Sequence, residues 1–84
     1  MNKAITPAML PLLKGSNVKC IKASFTGGLL VEGKIYTVER VLLRDNQLLK
    51  LKGIQNQNFR PARFELVIYT LKLREIMIKE EIGL

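Results

Sequence analysis

The chain has no histidine, no tryptophan and a single cysteine. Without histidine there is no Ser-His-Asp or Cys-His pair to activate a nucleophile. A lone Cys20 offers neither an intramolecular disulfide nor a zinc set. It lies in the run Val18-Lys19-Cys20-Ile21, where a small core hydrophobe fits. Thiol chemistry is the alternative, but only Lys19 and Lys22 stand near it and neither is an evident base. Acidic residues are also few: seven, scattered, with only Glu80-Glu81 adjacent, in the tail, where a solvated face accounts for them. Gly27-Gly28 lacks the G-x-x-x-x-G-K-[ST] context of a phosphate cradle. These absences lead us to expect no enzyme, no metal and no cofactor. No run approaches about 18 uninterrupted apolar residues, so no membrane span is expected. The opening segment is cut by Pro7 and Pro11 and is too short for a secretory signal. With one unpaired Cys, the expected location is a reducing cytoplasm.

What is present is a basic, moderately apolar chain of 84 residues, which bounds it to one domain. At this size roughly 60–65% of the unfolded chain's surface can be buried, enough for one thin core. Lys and Arg number 14 against 7 Asp and Glu, a net charge of +7. That balance favours nucleic acid, an anionic membrane surface or acidic proteins as partners. Solubility alone is the plainer explanation.

Residues 1–14 read as a leader, 15–68 as a small β domain and 69–84 as a C-terminal extension. Thr6-Pro7 looks like a cap and first helical position, so Pro7–Leu13 should make a short turn limited by Pro11. Met9, Leu10, Leu12 and Leu13 should cover an open end of the core; docking elsewhere is the alternative. Val18–Ala23 reads as a strand, followed by a loop over Ser24–Gly33 with Gly27-Gly28 at its tip. Leu29, Leu30 and Val31 are too apolar for full exposure, and at least one should fold back. Lys34–Leu43 is the strongest strand, with Ile35, Thr37, Glu39 and Val41 on one face and Tyr36 and Val38 on the other. Arg44-Asp45-Asn46-Gln47 is a hairpin turn. The return strand Leu48–Lys52 points Leu49 and Leu51 inward and Lys50 and Lys52 outward, and Gly53 marks a bend. The amides Gln55-Asn56-Gln57-Asn58 form a turn. Phe59 and Arg60 start a strand, Pro61-Ala62-Arg63 interrupt it with a helical turn, and Phe64–Ile68 resume it. Tyr69–Leu73 alternates like a strand and Arg74–Glu81 suits a helix. Short strands with regular turn signals favour a small, strongly bent five-stranded antiparallel barrel. Val18, Cys20, Tyr36, Val38, Leu49, Leu51, Phe64 and Leu66 are its expected core.

Four segments in order carry a resemblance: Gly15-Ser16-Asn17-Val18-Lys19-Cys20-Ile21, Leu30-Val31-Glu32-Gly33-Lys34-Ile35-Tyr36-Thr37-Val38, Leu49-Lys50-Leu51-Lys52-Gly53-Ile54 and Pro61-Ala62-Arg63-Phe64-Glu65-Leu66. Over roughly residues 14–67 the chain resembles small bacteriophage and prophage proteins with a Src-homology-3-like barrel. Their pattern runs G-x-x-V-x-C-I, L-x-x-G-K-x-Y-T-V and R-F-E-L. The resemblance implies a β barrel and life inside an infected bacterium, but carries no activity with it. The leader and the tail after Val67 depart from the usual pattern.

Two surfaces are candidates for binding. Lys19, Lys50, Lys52, Arg60 and Arg63 could form a basic stripe for nucleic acid or an acidic partner, with Phe59 as a stacking platform. The plainer explanation is that they are outward positions of half-buried strands, where Lys also guards edges. In the tail, Leu71, Leu73, Ile76, Met77, Ile78 and Ile82 are too apolar for a free end. They are expected to dock on a second copy, as a homodimer, or on a host or phage protein. The favoured function is a non-catalytic phage accessory protein acting by protein interaction, on a host defence or transcription component. The alternative is a nucleic-acid-binding module working through phosphate contacts.

Overall fold

The computed structural model describes residues 3–44, 47–68, 73–75 and 78–79. Its five strands are β1 (Lys3–Ala4), β2 (Asn17–Cys20), β3 (Ile35–Leu42), β4 (Leu48–Leu51) and β5 (Phe64–Ile68). They form one antiparallel sheet in the order β1-β5-β2-β3-β4. Two 3-10 turns, Pro7–Leu12 and Pro61–Arg63, precede β2 and β5.

Alternation builds the inner face. Val18 lies between Tyr36 on β3 and Leu66 on β5, and Cys20 opposite Phe64. Val38 pairs with Leu51 and Val41 with Leu49. The eight expected core residues are all buried, joined by Met9, Leu10, Leu13, Leu30, Phe59 and Leu73. Leu30 is thus the loop residue that folds back, while Leu29 and Val31 stay exposed. Met9, Leu10 and Leu13 do cover the core from the leader, and Leu12 packs against it half-buried.

Three local features differ from the sequence reading. First, β2 stops at Cys20 rather than Ala23. The N–H groups of Ile21 and Lys22 both turn to the carbonyl of Arg63 (2.8 and 3.3 Å), which takes the chain off the ladder. Second, β3 carries a bulge between Val38 and Arg40. One extra residue shifts the two-residue period, so Val41 packs on the core instead of sharing the outer face of Ile35. Third, the leader contributes β1, with Lys3 opposite Leu66 and Ala4 opposite Glu65. Two residues are too few to show a periodicity.

The sheet is curled. Phe59 exchanges backbone hydrogen bonds with Leu49 (2.7 and 2.9 Å), which puts it outside β4 at the far edge from β5. In a flat sheet Phe59 and β5 would be four strand spacings apart, about 19 Å. Yet the rings of Phe59 and Phe64 meet edge-on with centroids 6.3 Å apart. The sheet therefore bends over its own core.

In the tail, residues 73–75 and 78–79 are helical. Leu73, expected at the end of a strand, is helical and fully buried among the core residues. The expected hairpin residues Asp45 and Asn46 lie outside the described residues, but β3 and β4 pair as the hairpin requires.

Phe64 joins β5 to Phe59 and sits in the centre of this core. Phe64→Ala should cost about 3–5 kcal/mol, read from chemical denaturation. A loss below about 1 kcal/mol would place the ring outside the cooperative core.

Candidate functional site

The five predicted basic residues do not share one face. Lys19 projects from the outer face of β2, half-buried, with Ile35 and Glu65 as its cross-strand neighbours. Lys50 pairs with Glu39, Nζ to Oε2 at 3.3 Å. With both side chains partly in water, such a pair contributes about 0–1 kcal/mol, but it does neutralise Lys50 locally. Lys52 is exposed beside Thr37, whose carbonyl accepts its N–H at 2.9 Å. The outer face thus mixes cations with acids and neutral residues, and Arg40 stands opposite Lys50 on it. Arg60 and Arg63 sit elsewhere, around the second 3-10 turn.

Arg63 is occupied. Its Nη1 donates to the carbonyls of Lys22 (3.0 Å) and Ser24 (2.7 Å), tying the β2–β3 loop to the base of β5. Phe59, expected as an exposed stacking platform, is buried with 2% exposure. Its ring fills the gap the curled sheet leaves next to Phe64, and no base could reach it.

Among the described residues the exposed aromatic is Phe25, at 98% exposure, in the loop between β2 and β3. Its backbone is left-handed, φ 64°, a conformation that disfavours any side chain with a Cβ. The loop around it is firmly built. Thr26 is buried, donates from Oγ1 to the carbonyl of Ala23 (2.7 Å) and accepts from the N–H of Leu30 (3.4 Å). Glu32 accepts from the N–H of Ala23 (3.4 Å), and the Tyr36 hydroxyl accepts from the N–H of Val31 (2.9 Å). Gly27 and Gly28 supply two further positive φ values at the tip. The segment Ser24-Phe25-Thr26-Gly27-Gly28 announced a turn in the sequence; nothing in it told whether the ring turns in or out.

On the other side of the second 3-10 turn lies an open groove of about 460 Å³. Ile5, Pro7, Leu10, Leu43 and Pro61 supply apolar lining, and Thr6, Gln47 and Arg60 the polar part. Arg60 is exposed there, with no ion-pair partner among the described residues. Sequence reasoning missed this groove because its walls come from three distant segments.

Of the tail residues expected to dock, Leu73 is buried in the chain's own core and is not available to a partner. Ile78 is exposed at 47%. Leu71, Ile76, Met77 and Ile82 lie outside the described residues. Among those described there is no group of three or more potential metal ligands, and no helix long and apolar enough to cross a membrane. No protein family, curated protein or solved structure matches the chain.

Two measurements check these assignments. Cys20 is 1% exposed, so its thiol should resist an aromatic disulfide reagent in native buffer and react once denaturant unfolds the core. Rapid native reaction would contradict its burial. Phe25→Gly removes the Cβ that opposes a left-handed backbone and should raise stability by about 1 kcal/mol in a thermal or denaturant melt. A loss of stability would mean that the ring packs on the loop.

Proposed function

We propose that this protein is a non-catalytic protein-interaction module on a Src-homology-3-like barrel, an accessory protein of bacteriophage or prophage origin working in the cytoplasm of the infected cell. The five antiparallel strands, their strong curl and the 3-10 turn leading into the last strand support the barrel reading. The observation that carries the interaction reading is the groove between the leader, the end of the β3–β4 hairpin and Pro61-Ala62. An apolar floor with the exposed Arg60 guanidinium at its rim suits a partner segment that combines apolar side chains with a carboxylate. A component of the host's defence or transcription machinery is the partner class we favour.

The second reading is nucleic-acid binding. The net charge of +7 and the exposed Lys52, Arg40, Arg44 and Arg60 favour it. The burial of Phe59 and the pairing of Lys50 weigh against it.

The two readings separate in a pull-down from infected-cell lysate. Ala62 is exposed on the groove wall, so Ala62→Trp should fill the groove and leave the core intact. A partner should be retained through nuclease treatment and lost with Ala62→Trp. Loss of the partner on nuclease treatment would overturn the interaction reading. The nucleic-acid reading expects binding to duplex probes with a log–log salt slope of about −0.9 per phosphate contact, made shallower by replacing Lys50 and Lys52. No probe binding at about 50 mM salt would eliminate it.

A further inference from the structure

The β2–β3 loop is built to hold an apolar ring in water. Phe25 is 98% exposed, and its left-handed backbone is maintained by bonds that do not involve the ring: Thr26 to Ala23 and Leu30, and Arg63 to Lys22 and Ser24. Ile21, Leu29 and Val31 of the same loop are each about half exposed (45, 44 and 56%). Cations stand at its root. Lys22 and Lys34 are exposed on its two legs, and Lys19 lies one residue before the end of β2. Lys34 Nζ sits 5.4 Å from the centre of the Tyr36 ring, whose hydroxyl holds the loop at Val31. The loop's one acid, Glu32, is engaged with the N–H of Ala23.

We infer that this loop is a membrane-contact site in which Phe25 inserts into the interface of an anionic lipid surface while Lys22 and Lys34 meet the headgroups. Charge complementarity selects the occupant: an apolar tip with a cationic base on a chain of +7 matches a surface of negative headgroups over hydrocarbon. Shape agrees. A fully protruding ring needs a preformed hole in a protein partner, whereas lipid yields around it. The companions of Phe25 are aliphatic, which suits hydrocarbon and gives a strand of successive bases no second ring to stack on. The contact is peripheral and independent of the groove.

The chain has no tryptophan, so Phe25→Trp installs a single reporter at the tip. With vesicles of phosphatidylethanolamine and phosphatidylglycerol, its emission should shift to the blue and be quenched by brominated acyl chains. Vesicles of phosphatidylcholine alone should leave it unchanged. In co-sedimentation, Phe25→Asp and the pair Lys22→Glu with Lys34→Glu should each weaken binding to the anionic vesicles roughly tenfold, and salt should weaken it further. Phe25→Asp removes an exposed side chain from a position where Asp tolerates the backbone, and an unchanged melt will show that it folds. Ala62→Trp should bind vesicles like the parent, which keeps this result separate from the groove. Three results would overturn the proposal: no vesicle binding at about 50 mM salt, vesicle binding indifferent to Phe25→Asp, or an indole emission change in the Phe25→Trp variant with single-stranded oligonucleotides but none with vesicles.

Discussion

The contact between Phe59 and Phe64 sets the geometry that everything else uses. One ring hangs from the outer side of β4 and the other starts β5, and their meeting across the core requires the sheet to curl. The chain must then pass from one side of the core to the other in the short stretch between them. Pro61-Ala62-Arg63 does so as a single 3-10 turn. That turn has two consequences. It places Arg63 where the guanidinium reaches the carbonyls of Lys22 and Ser24, and it places Arg60, Pro61 and Ala62 on the wall of the groove. The loop and the groove are therefore neighbours on either side of one turn, positioned by the same packed pair of rings.

Charge is distributed in a way that the composition alone does not reveal. Cross-strand pairing places Lys19 beside Glu65, and an ion pair joins Lys50 to Glu39, so two cations of the outer face each have a carboxylate beside them, while Arg40 stands opposite Lys50 across the β3–β4 pair. Further cations lie at the loop legs, at Arg60 and at exposed positions such as Arg44 and Lys52. Arg40, Lys50 and Lys52 gather at the β3–β4 pair, whereas Arg60 and Arg63 flank the second 3-10 turn, so the five predicted cations do not make one continuous stripe.

The alternating segments were legible in the sequence because one buried face leaves a period of two. Val18 and Cys20, Tyr36 and Val38, Leu49 and Leu51, and Phe64 and Leu66 each follow it, and all are buried. The Pro-Ala-Arg turn was legible because Pro fixes its first residue. The bulge after Val38 was not, since an inserted residue leaves no compositional mark and reverses every face beyond it. Phe59 stood between amides and an Arg-Pro pair, looking exposed, whereas its bridge to Leu49 and its ring contact with Phe64 hold it in the core. Leu73 was lost for a similar reason: one apolar side chain among many in the tail fills the core, and the pattern does not say which. Neither candidate site was visible as a motif. The groove joins three distant segments, and the loop depends on which way one ring turns.

The strand order has a consequence for how the chain is made. β5, the last of the described strands in sequence, lies between β1 and β2, the first two. Lys3 finds its partner at Leu66, and Val18 lacks one neighbour until the same residue arrives. During synthesis β2, β3 and β4 can form a meander, but with the inner row open along one side and Phe59 still lacking its ring partner. Closure waits for the stretch through Ile68 to clear the ribosome, when the long-range pairings form together. The nascent chain thus carries an uncovered β edge until β5 emerges, and a truncation within β5 would leave that edge permanently open.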